Sequence, residues 1–394
     1  MPDRIVDVLL IGGGVACAAA ARTLTEEGFG GSVLLAAREL DPPYGRPPLT
    51  KEYLRGDSTK EDAYVGTGDA EVLTRTGVLK LDTEAHKATL ATKEVVAYDR
   101  ALIATGAMVR RLQVDGTELE GLHYLRAFGN SDAIRRDLAG VERVVCVGGS
   151  FISCEVAASL TAMGVPVTIV MQEAAPFERA FGSQVGGWFR RQFKNRGVVF
   201  VTEDDVERFT GEERVERVVT KAGREIPAQA VVLGVGVTPD VMLARGAGLD
   251  LGASGGVACD DRLRTSAPGV WAAGDVCEYD SVVHGRRLRV EHTEHAAAQG
   301  AFAARAMLGA DEPYAVVPYF YSDLADWASL EYVGPAAAWD EEVVVGSTGE
   351  GTFGVWYLEA GRVRGALSIG GALDLDRARE LIAAGEPVGA AGLG

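Results

Sequence analysis

Apolar residues in this chain fall in short unbroken runs, and two of those runs stop on glycine in the same way. Val8-Leu9-Leu10-Ile11 stops on Gly12-Gly13-Gly14 and gives way to an alanine-rich stretch ending near Leu24. Val144-Val145-Cys146-Val147 stops on Gly148-Gly149-Ser150 and continues through Phe151-Ile152-Ser153 to Glu155-Val156-Ala157. A brief apolar run bounded by glycine reads as a buried parallel strand, and the small-residue stretch after it as a closely packed helix. Each turn therefore aims a helix N-terminus where a pyrophosphate fits. Two such turns predict two dinucleotides held face to face, the arrangement that hydride transfer requires.

The pattern continues around each turn. Ser32-Val33-Leu34-Leu35-Ala36-Ala37 predicts the second parallel strand of the first unit, and Ala101-Leu102-Ile103-Ala104-Thr105-Gly106-Ala107 a strand that closes it. In the second unit, a helical stretch over 131–138 precedes the glycine turn, Val165-Pro166-Val167-Thr168-Ile169-Val170 follows it, and 230–239 closes it. Gly12 and Gly148 thus mark one place in two copies of a single architecture. The run 265–276 ends a strand in Gly274-Asp275 and leads to a helix over 296–308, which returns the chain to the first unit. Beyond Pro313 the pattern changes to strands over 343–345, 353–358 and 363–369 and a helix over 375–383. The fold class expected is α/β, with two Rossmann-like dinucleotide-binding domains arranged as in glutathione reductase and a C-terminal α+β domain. The boundaries expected are 1–112 with 247–312 for FAD, 113–246 for NAD, and 313–394 for the last domain. The glycine-alanine tail after Glu386 reads as frayed.

Composition narrows the class. The 394 residues are 47% hydrophobic and 24% charged, ordinary for a globular protein, and the formal net charge is −17. Such a balance excludes a nucleic-acid partner, whose phosphates call for a basic surface. Arg190, Arg191, Lys194 and Arg196 read as a solvated face, and His284, Arg286, Arg287 and Arg289 as the other candidate basic patch. Residues 6–21 mimic a signal peptide, but strand, turn and helix account for every one of them. No run approaches the length of a membrane span. Cys17, Cys146, Cys154, Cys259 and Cys277 show neither metal nor redox spacing, so no metal site and no oxidising compartment are expected. The location expected is the cytoplasm, as a monomer or a homodimer.

Candidate chemistry follows the strands. Glu39, after the second strand of the first unit, suits the hydroxyls of an adenosine ribose, with Arg38 an odd neighbour. The proline-rich loop 41–51 is too rigid for a helix interior or central strand and sits where ligands bind. It holds no cysteine, which excludes the disulfide reductases of the same architecture. Asp275 offers a carboxylate at the ligand-binding edge. Glu173, after the second strand of the second unit, favours a ribose hydroxyl over a 2′-phosphate and so NADH over NADPH, with Arg179 the one contrary sign.

These residues resemble, over the whole chain, the FAD-dependent NAD(P)H:ferredoxin reductases of the putidaredoxin reductase type, which serve Rieske oxygenases and bacterial cytochromes P450. Monodehydroascorbate reductase and apoptosis-inducing factor share the fold. The resemblance rests on both glycine turns, Pro43-Tyr44-Gly45-Arg46-Pro47-Pro48-Leu49-Thr50-Lys51, Ala104-Thr105-Gly106, Tyr124-Leu125-Arg126, the run 265–275, Arg289-Val290-Glu291-His292 and Pro318-Tyr319-Phe320-Tyr321-Ser322-Asp323. It implies that Gly12, Gly14, Val15 and Ala16 approach the FAD pyrophosphate and that Glu39 and Arg38 border its ribose. Val78 then lies near the adenine, Arg46, Lys51 and Arg126 reach the cofactor, and Asp275 bonds the ribityl chain. Thr293 approaches the flavin ring through its backbone, and Lys51 with Glu155 forms an ion pair beside the reactive nitrogen, the pair taken as catalytic. Ala104, Thr105, Gly106, Gly274, Glu291, His292 and Tyr321 are placed with the cofactors in the same way. So are Gly148, Gly149, Ser150, Phe151, Ile152, Gly234, Val235, Gly236 and Glu173.

Five departures stand out. Cys17 and Ser153 replace the third glycines of the two turns, and Ser150 the second glycine of the second, which predicts weakened or shifted nicotinamide binding. Thr293 stands where several relatives carry an aromatic. Tyr321 replaces a tryptophan found in many, and with His295 and Trp327 it leans toward the monodehydroascorbate reductase branch. The function expected is hydride transfer from NADH to FAD, then single electrons to an iron–sulfur ferredoxin. The alternatives are reduction of a small organic radical or quinone, or a redox-responsive protein like apoptosis-inducing factor.

Overall fold

The computed structural model describes residues 1–389, 392 and 393. Its central strand Arg4–Ile11 pairs in parallel with Val33–Ala36 on one side and Val95–Ile103 on the other. Val270–Ala272 joins the far edge of Val95–Ile103, also in parallel, which brings the chain back to the first unit after the second is complete. In the second unit Val144–Val147 pairs in parallel with Val167–Val170 and with Ala230–Leu233. The strand order is the same, and the helices that follow the turns, Val15–Glu26 and Phe151–Ala162, are both 12 residues long. The duplicated α/β fold read from the two glycine turns is therefore the one observed.

The turns themselves explain the glycines. Gly12 has φ +140° and Gly148 φ +115°, both outside the range comfortable for a side chain. A Cβ at Gly12 would stand 2.1 Å from the Ala104 carbonyl oxygen, and one at Gly148 2.3 Å from that of Gly234. In each unit the first glycine thus lets the turn pass under the end of the neighbouring strand. The two closing strands, ending at Ile103 and Leu233, are in register with the two opening ones through those contacts.

The C-terminal domain is a five-stranded antiparallel sheet. The helix Leu375–Ala384, capped by Asp374 through the amides of Asp376 and Arg377, packs on one face of it. Its strands include Tyr319–Leu324 and Ala328–Val333, which the pattern reading did not assign, beside Glu341–Ser347, Thr352–Glu359 and Arg362–Ile369, which it did. The other face meets the second unit through an aromatic seam. Phe320 lies 5.2 Å from Phe151 edge-on, and Phe181 lies 5.3 Å from Tyr332. Trp188 donates its indole N–H to the Thr348 carbonyl, and the Tyr357 hydroxyl donates to that of Phe181. Aromatic pairs of this kind add about 0.5–1.5 kcal/mol each beyond burial. One continuous core therefore holds the second unit and the C-terminal sheet together. The core of the first unit takes in Val241 and Ala244, a few residues before position 247.

Candidate functional site

A cleft of about 610 Å³ opens at the C-terminal ends of the first-unit strands. Gly12, Gly14, Val15 and Ala16 line it at the N-terminus of the helix Val15–Glu26, and Val78 and Arg38 line it further along. Ala104, Thr105, Gly106, Gly274 and Asp275 come from the ends of the neighbouring strands, and Glu291 and Thr293 from the start of the helix Thr293–Met307. Ser150, Phe151 and Ile152 of the second turn, with Gly234 and Gly236, line the same cleft. Both glycine turns thus look into one space.

Its polar wall is built around two arginines. Arg46 pairs with Glu39 at 2.5 Å, and the Tyr44 hydroxyl donates to the other Glu39 oxygen at 2.7 Å. Arg46 also donates to the Arg126 carbonyl, so it is fixed in the wall and not spread over the surface. Arg126 donates through Nε to the Ala107 carbonyl at 2.8 Å. Burial and the neighbouring Arg46 charge bring its pKa down to about 10, with Asp275 and Glu39 offsetting this at longer range. A cation destabilised in this way favours an anionic ligand beside it. The chemistry of the wall fits FAD: helix-end amides and guanidinium for a pyrophosphate, and the Asp275 carboxylate for hydroxyls. Arg38, the odd neighbour, is explained by Asp240, with which it forms a 2.7 Å ion pair on the cleft rim.

Lys51 and Glu155 lie at a junction of all three domains. Lys51 Nζ stands 3.7 Å from Glu155 Oε1 and 3.9 Å from Asp323 Oδ2, with only 7% of its side chain and 11% of that of Glu155 exposed. The Tyr321 ring lies 5.1 Å from the ammonium. Ser322 donates to Glu155 Oε1 at 2.5 Å and Thr50 lies 2.6 Å from Oε2. Burial pushes the Glu155 carboxyl up from its usual range, against the pull of Lys51 and the two hydroxyls. Lys51, Tyr321, Asp323 and Glu294 line a second cleft of about 260 Å³, and Thr293 lines both clefts. Lys51 is thus next to the main cleft, on the far side of Thr293.

The family model described as pyridine nucleotide-disulphide oxidoreductase matches residues 6–300, and a second, reductase C-terminal, matches 319–394. The chain belongs to this family. Within it the chain is an oxidoreductase of the ferredoxin reductase group. Rhodocoxin reductase of Rhodococcus erythropolis is 32% identical over 390 residues, covering 97% of this chain and 91% of that protein. The 5,5'-dehydrodivanillate O-demethylase ferredoxin reductase subunit of a Sphingobium strain is 33% identical, covering 97% and 94%. The crystal structure of the covalent putidaredoxin reductase–putidaredoxin complex superposes with a TM-score of 0.91 at 28% identity, covering 100% of this chain and 96% of that one. Membership implies FAD and NAD(P)H as cofactors.

Several residues expected at the cofactors do not line the main cleft. His292 does not face the cleft; its ring stacks on Phe320 at 4.0 Å, and burial lowers its pKa to about 4. Val235 packs against the core of the second unit. Gly148 and Gly149 form the floor of the second turn, where a Cβ at Gly149 would stand 3.0 Å from Glu173 Oε2. Glu173 is itself paired with Arg179 at 2.5 Å. The second basic run is largely neutralised, Arg287 by Asp280 and Arg289 by Glu291, and Arg196 of the first lies over the Trp327 ring at 4.4 Å. Tyr44, Thr50, Ser322 and Asp323 entered the sequence reading only as members of the motifs that carry the resemblance, with no role of their own, and Asp240 did not enter it. Among the described residues, no helix is long and apolar enough to cross a membrane and no cluster could hold a metal ion.

Proposed function

We propose that this chain is an NADH-dependent ferredoxin reductase that passes electrons to an iron–sulfur protein serving a P450 or Rieske oxygenase. The observation that carries the reading is the shared cleft: residues 150–152 of the second turn line the same space as residues 12–16 of the first. Bound there, FAD supplies the hydride acceptor and a means of releasing electrons one at a time. The protein's part is binding, orientation and charge. The first glycine turn and the following helix N-terminus receive the pyrophosphate, and Arg126 adds a cation with no close carboxylate. Asp275 binds hydroxyls of the cofactor chain. Lys51 stands beside the site, held there by Glu155 and Asp323. Phe151 and Ile152 close the apolar end against water.

Glu173 supports NADH. Its Oε2 lies over Gly149, where an adenosine ribose would rest, and its other oxygen pairs with Arg179, which offsets that guanidinium's pull on a 2′-phosphate. The named relatives support a ferredoxin as acceptor. A second reading, a small organic acceptor such as a quinone, is favoured by the concavity of the cleft beside Lys51 and by its acidic wall of Glu52, Asp62, Glu294 and Asp323. The purified chain should carry FAD without a covalent bond, and Asp275→Ala should lower FAD retention on gel filtration without changing the circular dichroism. A chain that cannot be loaded with FAD would contradict the reading. Turnover with NADH and a panel of ferredoxins against turnover with quinones then separates the two acceptors.

A further inference from the structure

The two oxygens of Glu155 are served in different ways. Ser322 Oγ, on the C-terminal domain, donates to Oε1 at 2.5 Å. Thr50 Oγ1, on the first domain, lies 2.6 Å from Oε2 and 3.1 Å from the Pro47 carbonyl oxygen. A hydroxyl carries one proton and two lone pairs, so Thr50 donates to one of these acceptors at a time. With Glu155 ionised, Thr50 donates to Oε2. With Oε2 protonated, the carboxyl donates to Thr50, and Thr50 turns its own proton to Pro47. Both states leave every polar atom of the set satisfied, so neither state carries the cost of an unpaired buried hydrogen-bonding group.

We propose that Thr50 is a two-position hydrogen-bond switch that lets Glu155 take up and release one proton beside Lys51, with Ser322 as the fixed donor that holds the carboxyl in place. Thr50 and Ser322 are positioning residues; they act through Glu155. The backbone around Thr50 is pinned, since Ser159 Oγ donates to the Thr50 carbonyl at 2.6 Å, so only the hydroxyl has to turn. The charged groups facing Glu155 are Lys51 and, beyond it, Asp323. The Cys154 thiol and the Tyr321 phenol also face it, and burial raises the pKa of both, so they stay neutral. Glu52 and Glu294 stand further out on the cleft wall. Burial raises the carboxyl and Lys51 lowers it, and this opposition keeps both protonation states within reach. The exposed 11% of the Glu155 side chain gives the proton a route to solvent. The part this plays in catalysis rests on the flavin reading above, because a proton store is useful where electrons and protons arrive together.

Infrared titration of the full-length, flavin-loaded protein, with Glu155→Gln as the difference reference, reads the carboxyl directly. Glu155 is expected to titrate reversibly. Ser322→Ala should move its midpoint upward by about one pH unit, tenfold in proton affinity, because a donor to the charged form is lost. Thr50→Val takes a donor from the charged form and an acceptor from the neutral one, and should move the midpoint upward by less, because the bond to the charged form is the stronger. Thr50→Ser should restore the wild-type midpoint. A carboxyl that stays in one state over the whole pH range of the folded protein would overturn the proposal, as would Thr50→Val titrating like wild type. If Thr50→Val does not fold, Thr50→Ala takes its place: an upward shift supports the switch, and a wild-type midpoint overturns it. Repeating the titration on protein stripped of flavin keeps this result separate from any failure of the flavin reading.

Discussion

Ser150 and Gly14 occupy equivalent places with nearly the same extended backbone, φ −111° and −100°, so the serine is tolerated without strain. What differs is the side chain. A Cβ at Gly14 would meet no protein atom within 4 Å, which means that it would point into the cleft. Ser150 lines that cleft and its hydroxyl does not cap the helix. It takes room from a phosphate and offers a hydrogen bond in exchange. We expect the loss of room to dominate, so Ser150→Gly should lower KM for NADH a few-fold with little change in kcat, the pattern of added uniform binding. A raised KM would make the hydroxyl a phosphate ligand. Ser153 shows how a neighbouring departure was accommodated. Its Oγ donates to the Val147 carbonyl at 2.7 Å, and a Cβ at Gly234 would fall 2.3 Å from it, so glycine at 234 makes room for serine at 153. In the proposed function Glu173 sets the cofactor preference. Wild-type kcat/KM should be higher for NADH than for NADPH, and Glu173→Gln should narrow the ratio, both by removing repulsion and by freeing Arg179 for a 2′-phosphate. A wild-type preference for NADPH would show that Arg179 governs the pocket.

At the scale of elements, the helix that receives the pyrophosphate is set by the helix behind it. A Cβ at Gly300 would stand 2.0 Å from the Ala16 carbonyl oxygen, so Val15–Glu26 and Thr293–Met307 touch backbone to backbone. Gly300→Ala should cost about 1–3 kcal/mol in urea unfolding, as overpacking does, and should weaken FAD retention because Ala16 lines the cleft. Unchanged stability and retention would show that the pair has room to part. The same scale shows what the sequence made legible. Elements whose residues are apolar throughout, such as Val144–Val147 and Ala230–Leu233, were read directly because both their faces are covered. Tyr319–Leu324 was not. Its inward positions are Phe320, Ser322 and Leu324, and the polar member breaks the apolar alternation because it is spent on Glu155. The short antiparallel strands Val206–Thr210, Arg217–Thr220 and Glu225–Pro227 were missed for a simpler reason: charged residues alternate through them without a long apolar run.

On the scale of the molecule, the site belongs to no single domain. The first unit supplies Lys51 and Thr50, the second Glu155, and the C-terminal sheet Ser322 and Asp323. Of the contacts across domains, the Lys51–Glu155 pair was expected from the family resemblance alone; hydroxyl partners such as Thr50 and Ser322 carry no mark of their role in a sequence. The aromatic seam fixes the second unit to the C-terminal sheet, so Phe151 and Ile152 present a preformed wall of the cleft. The central claim is that both dinucleotides meet in the one cleft shared by the two glycine turns. Anaerobic mixing of the FAD-loaded protein with NADH in a stopped-flow spectrometer tests it most directly. The account predicts that one equivalent of NADH bleaches the bound flavin, and does so faster than NADPH. A flavin that stays oxidised with both nucleotides would contradict it.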